Sequence, residues 1–202
     1  FSDFIVHDGA FNPFDVRVKE AIAVIQYTGG TTGLPKGAML THSNVYANAY
    51  QANLWYVREI ETQQKILAAL PLFHVFAMTA VMNIGLMMGG EIVLMFPRFD
   101  VDEAMRLISK HKITFFPAVP TIYTMINNHP RVQEFNLKSL YCCLSGGAAL
   151  PVEVKKEFEA MTGCILLEAY GLSETSPAAT CNPFHGENKS GSIGIPFPGT
   201  MI

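Results

Sequence analysis

The sequence predicts an α/β fold, a largely parallel sheet flanked by helices. Two observations predict it. From residue 60 to 170, short apolar strand-like runs alternate with segments of helical pattern, as in parallel strands joined by crossover helices. Four stretches read as strand ends also run straight into glycine, hydroxyl or histidine residues, and the carboxyl ends of strands are where open α/β sheets gather ligands.

Each element has its own signal. Residues 1 to about 20 are polar and irregular, with Asn12-Pro13 as a turn. Ala21 to Tyr27 is short, apolar and β-branched, a strand, and Ala38 to Thr41 is a second one beyond a glycine-rich loop. Ser43 is expected to cap a helix running to about Val57, with Val45, Ala49, Ala52 and Tyr56 on one face. Ile66 to Leu70 reads as a buried strand that ends in Pro71-Leu-Phe-His-Val75. The run Val75 to Gly90 predicts a buried helix stopped by Gly89-Gly90. Its methionines suit an adaptable apolar wall, and its length falls short of a membrane span.

Glu91 to Phe96 is the next strand, closed by Pro97. Asp100 caps a helix to about His111, with Glu103 in the capping-box position. Ile113 to Val119 is a strand, and Pro120 opens a helix that Asn127-Asn-His-Pro130 breaks. Leu140 to Leu144 is a strand that puts Cys142 and Cys143 on opposite faces. Pro151 starts a helix that Gly163 stops, with Glu153, Lys155, Lys156, Glu157 and Glu159 as its solvated face. Ile165 to Tyr170 is another strand, and Ser190 to Ile195 reads as a strand or turn in a Gly/Pro-rich tail. His111, Lys112 and His129 read as structural.

Composition narrows the class. At 202 residues the chain can bury one good core or two small ones. A formal charge of −3 leaves no basic footprint for nucleic acid. Only 15% of residues are charged and the mean hydropathy is +0.24, which implies surface that is covered in the complete molecule. The four cysteines show no metal-ligand spacing, so reduced thiols in a cytoplasmic compartment are expected. The N-terminus shows no signal pattern and reads as a cut end.

The chemistry centres on Tyr27-Thr-Gly-Gly-Thr-Thr-Gly-Leu-Pro-Lys-Gly37. Glycines let backbone N–H groups close on an anion, Thr28, Thr31 and Thr32 add hydroxyls, and Lys36 adds a mobile positive charge. These are parts for holding a polyphosphate. A Walker loop is excluded because Pro35 stands where its second glycine belongs and Gly37 follows the lysine in place of a hydroxyl. The Rossmann glycine pattern is absent as well. At other strand ends sit Phe73-His74, Ser145-Gly-Gly-Ala148 and Tyr170-Gly-Leu-Ser-Glu-Thr175. Tyr170 offers a flat face to a base, Glu174 a carboxylate to Mg²⁺ and Thr175 a hydroxyl to phosphate.

These stretches resemble the signatures of the adenylate-forming superfamily, which holds acyl-CoA synthetases, luciferases and peptide-synthetase adenylation domains. Residues 27–37 look like its phosphate loop and 170–175 like its second hallmark; Pro71-Leu-Phe-His74 and Gly191-Ser-Ile-Gly194 match two more. Gly29, Pro117-x-x-Pro120-Thr-Ile-Tyr and Gly191-Ser-Ile-Gly-Ile-Pro196 resemble the long-chain fatty-acid–CoA ligases in particular.

The resemblance implies part of the large N-terminal domain of an acyl-CoA synthetase. Such an enzyme joins a fatty acid to ATP and passes the acyl-adenylate to coenzyme A. Thr28, Gly29, Gly30, Thr31, Thr32, Gly33 and Lys36 would hold the β- and γ-phosphates. Tyr170 and Gly171 would flank adenine, and Gly146, Gly147 and Ala148 the junction of adenine and acyl carboxylate. Thr175 would meet the α-phosphate, Glu174 the Mg²⁺, and His74 the acyl carboxylate and the thiol entry.

Residues 1–202 are thus expected to be a fragment of one AMP-binding (adenylation) domain, without the small C-terminal domain and its lysine, and unable to turn over alone. The expected partners are fatty acid, ATP and coenzyme A, in the cytoplasm, with peripheral contact at the inner face of a membrane. A medium-chain or aryl-acid ligase is the alternative within this chemistry, and a nucleotide-binding or interaction module without turnover the alternative outside it.

Overall fold

The computed structural model describes residues 16–28, 35–56, 63–95 and 98–202. Its framework is a seven-stranded sheet in the order β4-β3-β5-β6-β7-β8-β9. The strands are β3 (Lys65–Ala68), β4 (Glu91–Leu94), β5 (Phe115–Ala118), β6 (Cys142–Ser145), β7 (Ile165–Gly171), β8 (Ala178–Cys181) and β9 (Ile195–Pro196). β4, β3, β5, β6 and β7 run parallel, while β8 and β9 pair antiparallel at one edge. The expected largely parallel sheet is therefore present, with an antiparallel margin.

Helices cover both faces. On one lie α1 (His42–Tyr56) and the crossover helix α2, built from Val75–Ala77, a π-helical stretch Met78–Asn83 and Ile84–Met87. They bury Ala52, Tyr56, Ala77, Val81 and Ile84 against Ile66, Phe115, Cys142 and Leu144. On the other face lie α3 (Val101–His111), α4 (Pro120–Asn127) and α5 (Val152–Thr162), which bury Met105, Ile108, Tyr123 and Phe158 against Leu67, Phe116, Cys143 and Leu166. Cys142 and Cys143 face opposite layers, as strand alternation requires. The strand order reverses beside β3, the place where ligand sites form in sheets of this kind.

Several local signals act as the sequence implies. Asp100 accepts the Glu103 N–H at 2.8 Å, Pro120 occupies the first position of α4, and Gly163 ends α5 at φ +79°. The Glu103 side chain, however, turns to Arg106 at 2.5 and 2.6 Å instead of closing the capping box.

Other expectations need correction. α1 is capped by Thr41, not Ser43: Thr41 Oγ1 accepts the Asn44 N–H at 3.2 Å, while Asn44 Oδ1 accepts from the Thr41 N–H at 3.1 Å. The methionines of α2 serve as apolar core, with Met78 and Met82 packed with Leu40, Val24 and Ala38. On α5, Glu153, Lys156 and Glu157 are exposed as expected, but the other two charged residues are not simply solvated. Lys155 is buried and its Nζ donates to Asn188 Oδ1 at 2.5 Å, and Glu159 Oε1 accepts the Leu166 N–H at 2.8 Å. The end of the strand expected to reach Phe96 and Pro97 lies outside the described residues.

β1 (Ile22–Thr28) and β2 (Lys36–Thr41) stand apart as an antiparallel hairpin, in register from Ile22↔Thr41 to Thr28↔Lys36. The strand that leads into the glycine-rich stretch thus belongs to this hairpin and not to the parallel sheet, and residues 29–34 themselves lie outside the described residues. Nevertheless the hairpin packs against the Ser173–Thr175 turn that follows β7.

The core has a consequence for alkaline stability. All four thiols are free and buried. Burial pushes Cys142 and Cys143 well above the usual thiol range and Cys181 up to about 12, and raises Tyr56 and Tyr123 likewise. Cys164 moves the other way, through its hydrogen bond with Cys143. The unfolded chain releases cysteine and tyrosine protons near about pH 8.5 and 10, where the folded chain still holds them. That stability is full below about pH 8.5 and is lost as pH rises through the folded values. Cys164 and Lys155 oppose this, since a folded pKa below the unfolded one favours the fold as pH rises, but they are two groups against five. The denaturant midpoint is expected to fall steadily from about pH 8.5 to about pH 10. A flat or rising midpoint would refute the account.

Candidate functional site

At the carboxyl ends of β3, β6 and β7 opens a cleft of about 250 Å³. Five of the residues singled out in the sequence line it: His74, Gly146, Gly147, Tyr170 and Gly171. One wall is the start of α2, where Val75, Phe76, Ala80 and Ile84 face inward, and the opposite wall is the end of β7. The cleft is mostly apolar. Its Gly146 is buried, and a Cβ there would stand 3.2 Å from the Phe76 ring, so the chain approaches that ring where a larger side chain would press on it. Gly147 sits at φ +83°, which glycine adopts without strain. Ala148 is exposed on the same loop.

His74 begins α2. Its Nδ1 accepts the Phe76 N–H at 3.2 Å, which caps the helix and leaves Nε2 outside that bond. Tyr170 stays 43% exposed, so its ring face remains available to a flat partner.

Beyond the Ser173–Thr175 turn lies a second, polar groove of about 330 Å³, lined by Asn44, Asn48, Gln51, Glu174, Thr175 and Thr200 among others. Glu174 is exposed there, and no described residue forms an ion pair with it. Among the described residues no group of three or more His, Cys, Asp or Glu side chains converges. A single exposed carboxylate suits a magnesium ion held largely by phosphate oxygens and water. The Thr175 hydroxyl accepts the Leu172 N–H at 2.9 Å and reaches the Leu172 carbonyl at 3.0 Å and that of Pro177. It is committed to its own turn in this arrangement.

Lys36 and Thr28 face each other across the mouth of the hairpin, the Thr28 hydroxyl donating to the Lys36 carbonyl at 3.3 Å. Gly29, Gly30, Thr31, Thr32 and Gly33 lie outside the described residues. The structure therefore brings the hairpin and Tyr170–Thr175 together, with His74 and Gly146–Ala148 on the far side of the turn.

Sequence reasoning missed the residues that support this arrangement. Glu168 is buried on β7, and its Oε1 accepts the Leu150 N–H at 2.9 Å, anchoring the loop that contains Gly146–Ala148. Asn48 and Thr79, also buried, bond to the chain just after Thr175. Their one sequence signal is a polar side chain on an otherwise apolar helix face.

An apolar cleft and a polar groove lie on either side of one turn, with the β1–β2 hairpin against that turn, and the fold that holds them is the one found in CoA ligases of known structure. The chain belongs to the AMP-binding enzyme family, whose profile matches residues 7–202. It is 52% identical over 179 residues to a long-chain-fatty-acid–CoA ligase of Bacillus subtilis, covering 89% of this chain and 32% of that one. With the ligase of the same name from Escherichia coli O157:H7 it shares 38% over 186 residues, covering 91% and 33%. The ATP-bound crystal structure of MatB from Rhodopseudomonas palustris superposes with a TM-score of 0.81 at 32% identity, over 94% of this chain and 36% of that one. The chain spans about a third of the length of the curated relatives it matches. Among the described residues no helix is long and apolar enough to cross a membrane.

Proposed function

We propose that these residues form the central part of the large domain of a long-chain fatty-acid–CoA ligase, one adenylation domain whose remaining parts lie elsewhere in the full-length protein. The observation that carries this reading is the shared turn: residues 170–175 border an apolar cleft on one side and a polar groove with Glu174 on the other. A fatty acid lies in the cleft with its carboxylate near His74, and the triphosphate lies toward the hairpin. A carboxylate oxygen attacks the α-phosphorus of ATP and pyrophosphate leaves. The thiol of coenzyme A then attacks the acyl carbon and AMP leaves.

Attack of one anion on another needs neutralised charge and fixed geometry. Lys36 and the N–H groups of residues 28–33 hold the β- and γ-phosphates. Glu174 would hold Mg²⁺ from the protein side, and that ion would supply positive charge to the phosphate oxygens. Tyr170 and Gly171 take the adenine face, Gly146–Ala148 the junction with the acyl carboxylate, and Thr175 the α-phosphate once its hydroxyl turns outward. A cytoplasmic enzyme with peripheral contact at the inner face of a membrane fits an apolar acid as substrate.

Acid-dependent exchange of pyrophosphate into ATP tests the reading in the full-length protein. Long-chain fatty acids are expected to drive exchange better than medium-chain or aryl acids. A preference for aryl acids would overturn the substrate assignment. ATP–Mg²⁺ binding without exchange for any acid would favour a module without turnover.

A further inference from the structure

The turn that presents Glu174 and Thr175 is pinned from outside by two buried side chains on different helices. Thr79, 2% exposed, donates from Oγ1 to the Ser176 carbonyl at 3.1 Å. Asn48, 6% exposed, donates from Nδ2 to the Ala178 carbonyl at 2.7 Å and accepts the Ala178 N–H at 3.0 Å. Between them Ser176 holds a left-handed backbone at φ +74°, a conformation that L side chains rarely adopt and that persists only when its surroundings impose it. The Thr79 hydroxyl is one such constraint, because it takes the carbonyl of that very residue.

Thr79 lies in the π-helical stretch of α2 and borders the cleft whose wall the same helix supplies through Phe76, Ala80 and Ile84. Among the described residues it is a direct side-chain bond from the cleft-lining helix to the turn that carries Glu174. A π-helical stretch re-aims side chains relative to a regular helix, which is why such stretches recur at functional sites.

We propose, on the ligase reading above, that Thr79 is a positioning residue for the first half-reaction. Its hydroxyl locks the acid cleft to the Ser173–Ser176 turn, so that bound acid and the metal-bearing end of the nucleotide meet in one geometry. A shift of about 1 Å between reacting groups lowers rate by about 100-fold, so a single buried bond suffices for a large kinetic effect.

The test compares Thr79→Val, which keeps the shape and removes the donor, with Thr79→Ser, which keeps the hydroxyl, in the full-length protein. Thr79→Val is expected to lower kcat for acid-dependent pyrophosphate exchange about 10- to 100-fold, with the acid KM within about twofold. Thr79→Ser restores most of that rate. Amide exchange over residues 173–178 is read in the same proteins and is expected to quicken in Thr79→Val alone. Wild-type kcat in Thr79→Val, or an equal loss in Thr79→Ser, overturns the proposal. So does unchanged amide exchange in Thr79→Val. A wild-type protein without exchange activity would instead sink the ligase reading, while the amide measurement still judges the lock.

Discussion

On the ligase reading, replacing Glu174 by glutamine in the full-length protein is expected to slow acyl-adenylate formation about 100- to 1000-fold. The side chain is exposed on its turn, and no described residue pairs with it. Its negative charge therefore has no structural task that an isosteric amide would spoil, and unfolding free energy should stay within about 0.5 kcal/mol. The second step gives an internal control. Coenzyme A attacking supplied acyl-adenylate no longer needs the pyrophosphate end neutralised, so that half-reaction should be nearly spared. Adenylation that persists undiminished would remove Glu174 as the metal ligand.

Gly194→Ala is expected to cost as heavily in stability. Gly194 adopts φ +81°, and a Cβ there would stand 2.0 Å from the carbonyl carbon of Cys181 and 2.1 Å from the Asn182 nitrogen. Those are backbone atoms at the end of β8, which cannot swing aside as a flexible side chain can. Left-handed strain alone costs about 1–3 kcal/mol, and the clash adds to it, so a loss of about 3 kcal/mol or more is expected. Against a total stability of about 5–15 kcal/mol, such a loss unfolds much of the population. Gly191 is the control: it shares the motif and has φ +75°, but its Cβ would meet only Val152 Cγ2 at 3.7 Å. Gly191→Ala should therefore show the strain without the clash, about 1–2 kcal/mol. Denaturant unfolding of the three proteins reads the difference, and a loss under about 1 kcal/mol for Gly194→Ala would show that the strand end yields cheaply.

The same geometry gives Gly171 a second role. Next to Tyr170 it reads as part of the nucleotide site, yet a Cβ there would stand 2.0 Å from the Pro177 carbonyl oxygen. The close approach lies at the register shift between Tyr170 and Gly171, where β7 turns against β8. A motif glycine can thus serve the sheet and the ligand at once.

What was legible in the chain was local. Asp100, Pro120 and Gly163 act within a turn of their own position, so the sequence around them suffices. Four strand ends carrying unusual residues were also readable, because β-branched runs announce strands and glycine or histidine interrupts them. Ser43 misled because Thr41, two residues earlier, forms a reciprocal pair with Asn44, which hydroxyl preference alone does not distinguish. Lys155 misled because a charged residue on a helix is solvated unless a distant loop covers it, and here Asn188 does.

By itself, the sequence determined the alternation of strand and helix, the end of the molecule at which chemistry gathers, and the family to which these motifs belong. Only the tertiary structure decided that β1 and β2 form a hairpin apart from the main sheet and that β8 and β9 close that sheet antiparallel. It also decided that Asn48 and Thr79 hold the Glu174 turn across 130 and 97 positions of chain. The physical reason is reach. Caps and strand runs are settled by neighbours in sequence, whereas a buried hydroxyl or amide finds its partner only after packing has brought distant segments together and excluded the water that would otherwise satisfy it.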